Sequence, residues 1–386
     1  MRIIHAVPLV SETGAFGGPV SVALSQARGL IERGHEVTLV GAWRGTSAPP
    51  NELEGVPVKL FAAFHVFPGF AFSGYLAPAL GSWWKEVRSD VDVVHIHSGR
   101  HLVTIDLARL ACRDKVPYVV QTHGMLPPVT GSFKRLVDVV GTAPMIRRAA
   151  SVLALTGKEL DELRTQFGST LPLLRLDNSI APAEDWDAPK RSDDPLEVLF
   201  LGRLHARKRP LDLVRAAALL RNSGLSFRVS LVGPDEGEAA AIRAEIQRQS
   251  LQRVVRLEPA LPHRLALDRI RQANIFVLPS VNEPFPMTVL EAMSVGTPVV
   301  ITNSCDISAL AREFDAATIV SPDPADLAEA LKQLLLRPEL RASHVRNGIR
   351  LLRERLDPSH MLDALDMTYR ARLPARTSQP SDGRRA

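Results

Sequence analysis

Cysteine is almost missing from this chain: Cys112 and Cys305 are the two in 386 residues, and their spacing matches no metal site. A disulfide framework is therefore excluded, and a reducing compartment is expected. No run of eighteen apolar residues occurs, which excludes a membrane-spanning helix of ordinary length. The opening MRIIHAVPLV is too short and too soon interrupted to be a signal peptide, so a cytoplasmic protein is expected. A large excess of charge is lacking too: 47 Lys and Arg against 42 Asp and Glu give a formal net charge of +5. That mild field suits phosphate ligands or the anionic inner face of a plasma membrane, where peripheral contact is expected. It is too weak to argue for nucleic acid, and no basic motif interleaved with aromatics supports that partner. The glycine loop GAFGGP lacks G-x-G-x-x-G spacing, which disfavours a nicotinamide-dependent dehydrogenase.

What is present is alternation of short apolar runs with amphipathic ones. RIIHAV reads as a first buried strand, and Gly14 to Gly18 as a glycine loop leading to Pro19 at a helix start. Val20, Ala23, Leu24, Ala27, Leu30 and Ile31 then form a stripe at helical spacing. HEVTLVG, DVVHIH, PYVVQTH and SVLALT supply further strands. After the polar stretch APAEDWDAPKRSDDP, a linker, a second series begins: LEVLFLG, FRVSLVG, RVVRLE, NIFVLP and TPVVIT are strands, with helices after the first two. Strands alternating with helices predict parallel sheets covered on both faces. The expected domains are 1–180 and 196–355, joined by a linker at 181–195, then a helix at 356–373 and a disordered polar tail at 374–386.

The segment Pro279 to Val300, PSVNEPFPMTVLEAMSVGTPVV, carries the chemistry. Pro284 and Pro286 keep Glu283 in a loop, since a residue before proline is pushed out of helical geometry. A helix is predicted from near Pro286 to Gly296, with Pro298 as a second stop. Its first amides, at Met287, Thr288 and Val289, then face the loop crevice, where amides and dipole favour phosphate. Glu291, eight residues after Glu283, lies one turn in and can accept hydrogen bonds from a ribose, while Glu283 can accept them from an attached sugar.

E-P-F-P-x-x-x-L-E-A-M-x-x-G-T-P-V-V resembles the E-x7-E signature of the large retaining glycosyltransferase family GT4, group 1, of bacterial polysaccharide and lipid synthesis. The resemblance implies a GT-B fold, two doubly wound Rossmann-like domains with an interdomain cleft, the last helix crossing back to the first domain. It implies transfer from a nucleotide-diphosphate sugar to a saccharide or polyprenyl-linked acceptor, with no metal and no cofactor beyond the donor. A nucleotide-sugar epimerase of the same shape is the alternative. A two-lobed solute-binding protein would need an export signal.

Ligands of open α/β sheets bind beyond the carboxyl ends of strands, and that rule sorts the remaining candidates. Arg203 and Lys208, five residues apart after LEVLFLG, can reach one diphosphate and neutralise a departing nucleotide without a metal. The family's Gly-Arg…Lys matches here, but Arg209 stands where the family has glycine. Asp90-Val91-Asp92, a metal-type pair, precedes its strand and is read as structural. His123, in Thr122-His123-Gly124-Met125, follows PYVVQT; the family's His-Gly faces the donor sugar there. His97 is an acceptor-side candidate and His95 core. Gly17 and Gly18 let backbone approach a phosphate closely. Asn178 and Ser179 replace part of a family turn and are read as structural. Phe61 to Trp84 holds eight of the twenty aromatics, either an acceptor or membrane-facing surface or core. Lys134, Arg135, Arg147 and Arg148 are read as a solvated face.

Overall fold

Arg2–Ser11 lies inside an eight-stranded sheet whose neighbours diverge in sequence on its two sides. In order across the sheet, the strands are Leu173–Arg175, Ser151–Ala154, Tyr118–Gln121, Val93–His97, Arg2–Ser11, Glu36–Arg44, Val56–Ala62 and Glu52–Leu53. All pairings are parallel except the last, which is antiparallel. The structure, a computed structural model, describes residues 1–12, 17–66, 71–129, 132–187 and 195–373.

A second sheet orders Val255–Glu258, Phe227–Val232, Leu196–Leu201, Ile275–Leu278, Val299–Thr302 and Thr318–Val320, all parallel. Ile275–Leu278 and Val299–Thr302 are buried at every position because helices cover both faces. Val56–Ala62 instead alternates buried and exposed residues over its first five positions, the mark of a strand near a sheet edge. Sequence reading passed over it, and over Thr318–Val320, which has three residues of one apolar run.

Chain order reverses between Arg2–Ser11 and Val93–His97 in the first sheet, and between Leu196–Leu201 and Ile275–Leu278 in the second. Both switch points are where crevices open at the carboxyl ends. The helix Pro358–Arg370 starts at Asp357, whose side chain accepts from the Ser359 amide (2.7 Å). It packs on the first sheet's layer: Met361, Leu362, Leu365 and Tyr369 join the core of Ile3, Val7 and Leu30. Arg33 pairs with Asp363 at 2.7 Å across that contact.

Glycines 17 and 18 do not form a loop before the helix; they are its first residues, in Gly17–Glu32. Pro19 sits inside the first turn, where its missing N–H is no loss. Residues 14–16 of the predicted glycine loop lie outside the described residues, as do Thr13, Phe67, Phe70, linker residues 188–194 and the tail from Pro374. Of the aromatic segment, Phe61 and Trp84 are core, and Trp84 Nε1 donates to Asp114 (2.7 Å). Phe64 is exposed.

Candidate functional site

The strand Ile275–Leu278 ends in the loop that carries Glu283, and the helix Met287–Ser294 follows after Pro286. Separated from it by two strands in sequence but adjacent in the sheet, Leu196–Leu201 delivers the loop with Arg203 and Lys208. The two loops are stitched together. Val281 N–H donates to the Arg207 carbonyl (3.0 Å), and the Glu283 carbonyl accepts from Asp306 N–H (3.0 Å) in a third loop, after Val299–Thr302.

Lys208 Nζ stands 2.9 Å from Glu283 Oε2, with Arg207 3.7 Å from the same oxygen. Both members of the pair are nearly buried, 13% and 11% exposed at the side chain. Burial pulls the ammonium of Lys208 below its ordinary range, and the Glu283 carboxylate works against that shift. Arg203 is not half of a free cationic pair with Lys208: its guanidinium is taken by Glu236 at 2.7 Å. Any anion arriving at this loop therefore competes with a carboxylate at each cation.

Arg209 has φ +51° and ψ +43°, a left-handed residue at the start of the helix Pro210–Leu220. The family resemblance puts a glycine here, which takes this conformation without strain, and in this chain an arginine adopts it. Its guanidinium is held by Asp212 and by the Pro322 carbonyl (3.0 Å).

The helix begins at Met287 as expected and turns at Gly296, whose φ is +70°. A Cβ at Gly296 would sit 1.9 Å from the Trp186 carbonyl oxygen, so glycine is needed where the linker crosses. One expected amide is lost from the crevice. Val289 N–H donates to the Pro286 carbonyl (3.1 Å), a tight first turn. Among the described residues no backbone acceptor outside the helix pairs with the amides of Met287 and Thr288. Glu291 is buried and partnered.

Facing this loop across the crevice is Thr122-His123-Gly124. His123 and Gly124 both have positive φ, +53° and +68°. A Cβ on Gly124 would lie 2.3 Å from Pro284 Cγ, so the two domains touch here. Thr156 Oγ1 and Asp306 Oδ2, 3.3 Å apart, make a second contact across the same gap. Burial drives the His123 imidazole down to about 3, so it is neutral.

Glu159 was missed in the sequence, although Thr156-Gly157-Lys158-Glu159 has the S/T-x-x-E pattern of a helix start. Thr156 Oγ1 does cap the helix Gly157–Phe167, accepting from Glu159 N–H (3.1 Å). The Glu159 carboxylate does not return the bond. It accepts instead from Thr122 Oγ1 (2.5 Å), Gly124 N–H (2.5 Å) and Leu155 N–H (2.7 Å), holding the left-handed turn from behind.

The other candidates fall away from the crevice. Asp90 pairs with Arg2 (2.8 Å) and Asp92 accepts from the Arg2 amide (2.8 Å), at the amino end of their strand. Gly18 has open space where a Cβ would be, so among the described residues nothing demands glycine there. Asn178 is buried, and Ser179 Oγ lies 3.2 Å from Met361 Sδ. His95 is core, as read; His97 is equally buried but hydrogen-bonds to His123 (2.9 Å). Arg147 donates to the Phe167 carbonyl (3.0 Å) and Arg148 is exposed; the side chain of Lys134 lies outside the described residues.

Two family models match the chain, one after the other. A family model described as "Glycosyl transferases group 1" matches residues 183–351, and one described as "Glycosyl transferase 4-like domain" matches residues 17–176. D-inositol 3-phosphate glycosyltransferase of Rhodococcus opacus is 30% identical, covering 95% of this chain and 89% of its own. D-inositol 3-phosphate glycosyltransferase 1 of Catenulispora acidiphila is 27% identical over 97% of this chain and 95% of its own. Among solved structures, Anabaena HepE in complex with UDP and glucose superposes with a TM-score of 0.76 at 18% identity, covering 96% of this chain and all of that one. Sucrose-phosphate synthase from Thermosynechococcus elongatus gives 0.73 at 17%, covering 96% and 98%. The fold is GT-B, with two Rossmann-like sheets. Among the described residues no helix is long and apolar enough to cross a membrane.

Proposed function

The chain belongs to the glycosyltransferase group 1 family, and from that premise we propose a retaining, metal-independent transfer of a sugar from a nucleotide-diphosphate donor to a saccharide or lipid-linked acceptor. One observation carries the reading: a nearly buried lysine, Lys208, paired with Glu283 beside a helix N-terminus and opposite a strained His-Gly turn. A buried cation with a carboxylate partner is what a diphosphate can capture by exchange, at low cost in reorganisation.

In this reading Lys208 and Arg203 neutralise the diphosphate, helped by the Met287 and Thr288 amides. Glu291 binds ribose. Glu283, released from Lys208, turns to the sugar hydroxyls, and His123 meets the sugar from the other side. The bond from the anomeric carbon to the diphosphate breaks while the acceptor oxygen attacks the same face. The acceptor proton passes to the departing phosphate oxygen, so no side-chain nucleophile is required. Fixed cations and amides supply the charge stabilisation that a metal would otherwise give.

An apolar cavity of about 350 Å³ in the first domain, lined in part by Leu80, Leu102, Val103 and Val140, supports an acceptor with a lipid portion. Exposed Leu136, Val139 and Val140 nearby support peripheral contact with an anionic membrane in envelope or exopolysaccharide synthesis. Relatives named for D-inositol 3-phosphate make that polyol phosphate an acceptor to include in assays.

The test is a screen of UDP-, GDP- and ADP-sugars for slow hydrolysis, then for transfer to saccharide, polyprenyl-phosphate and inositol phosphate acceptors. NMR of the product reports whether the anomeric configuration is retained. Activity unchanged by EDTA is expected; activity restored only by Mn²⁺ or Mg²⁺, or inversion, would overturn the reading.

A further inference from the structure

Four imidazoles and one phenol form a continuous chain beneath the crevice. His123 Nε2 lies 2.9 Å from His97 Nδ1, and His97 Nε2 lies 3.0 Å from His5 Nδ1. His5 Nε2 lies 3.4 Å from the Tyr369 hydroxyl, which in turn lies 2.6 Å from His95 Nδ1. His5, His95, His97 and Tyr369 are fully buried. Burial holds His5 and His123 down to about 3 and His95 and His97 well below their ordinary range, so all four rings are neutral. The three rings of His5, His95 and His97 are close enough to hold a metal, but five of their six nitrogens are engaged in this chain.

A neutral imidazole has one donor and one acceptor, so the direction of one bond fixes the next. The phenol has a single proton. An O–H donor makes shorter bonds than an N–H donor, so the 2.6 Å contact is Tyr369 donating to His95 and the 3.4 Å contact is His5 donating to Tyr369. His95 then carries its proton on Nε2, beside Gln121. His5, protonated on Nε2, must accept at Nδ1 from His97 Nε2–H. His97 must accept at Nδ1 from His123 Nε2–H.

We propose that Tyr369 of the C-terminal helix is a positioning residue, which through His5 and His97 holds His123 in the Nε2–H tautomer. His123 Nδ1 is thereby left as an acceptor for a hydroxyl of the donor sugar. The second half rests on the nucleotide-sugar reading of the crevice; the tautomer chain does not. Docking of the last helix on the first domain is in this way connected to the donor face of the cleft.

The experiment is ¹⁵N NMR of the full chain labelled at histidine, with His123 assigned by loss of its signals in His123→Gln. In the wild type His123 should be protonated at Nε2 and bare at Nδ1. In Tyr369→Phe the acceptor for His5 is gone, and the His123 signals should move toward a mixture of tautomers. Donor hydrolysis, as kcat/KM, should fall roughly fivefold, the effect of about one neutral hydrogen bond. Leu362→Ala loosens the same helix through packing only, against Gly29 and the core around Ile3 and Leu30; it should lower Tm and leave the His123 signals where they are. A wild-type His123 protonated at Nδ1 would overturn the proposal. So would a Tyr369→Phe variant whose His123 signals stay put while its Tm and activity fall as in Leu362→Ala. Correct tautomers without turnover of any nucleotide sugar would count against the donor reading and leave the chain of tautomers standing.

Discussion

Lys208 and Glu283 neutralise each other across 2.9 Å at the mouth of the second sheet's crevice, with Arg207 as a distant third member. The asymmetry of this triad makes a stability prediction. Glu283→Ala leaves Lys208 buried without its near partner and should cost about 3 kcal/mol. Lys208→Ala leaves Glu283 with Arg207 still 3.7 Å away and should cost less. Both should lose transfer. Joining them as Lys208→Met with Glu283→Leu should recover most of the stability and none of the activity. Denaturant unfolding and a donor hydrolysis assay on the three variants check this.

Glu159 supports the His123 turn by three bonds. Glu159→Ala strands the Thr122, Gly124 and Leu155 donors and should destabilise by roughly 3 kcal/mol, with a further loss of activity. Glu159→Gln keeps one acceptor oxygen and should lose about half as much, read by Tm and by hydrolysis rate. Equal effects of the two substitutions would show that shape, not the carboxylate, holds the turn.

Gly124→Ala places a methyl against Pro284 and a side chain at φ +68°. Because the clash lies between domains, it should open the cleft rather than unfold either one. A displacement near 1 Å at the reacting groups costs about 100-fold in rate, so turnover should fall by that order while Tm drops by only a few degrees.

Acid should unfold this protein early. His5 and His101 stay neutral in the fold down to about pH 3, whereas an unfolded histidine takes its proton near 6.5. Between those values the unfolded chain binds more protons, so stability falls as pH falls, by about 1.4 kcal/mol per pH unit for each such histidine. His95 and His97 act in the same direction. Glu159 and Asp306, raised by burial, oppose it only near the carboxylate range. Tm should be level above about pH 7 and decline steadily from 6.5 downward. A flat Tm from pH 7 to 5 would contradict the burial of these rings.

The second crevice was legible in the sequence because its signals are local. Pro284, Pro286, Gly296 and Pro298 bracket one loop and one helix, and each acts through its own backbone. Arg203 and Lys208 were legible as positions after a strand, but not as partners, since Glu236 and Glu283 reach them from loops 33 and 75 residues away. The histidine chain was illegible for the same reason: His5 and Tyr369 are 364 residues apart. Gly17 and Gly18 misled because glycine signals a loop on average, and here a following Pro19 at helix start outweighs it.

Calorimetric titration of the wild type and Lys208→Ala with a panel of UDP-, GDP- and ADP-sugars tests the central claim most directly. The account predicts that at least one donor binds the wild type and that Lys208→Ala weakens it by about 100-fold, near 3 kcal/mol for a charge-assisted contact. Flat titrations across the whole panel, or equal affinity in the variant, would contradict it.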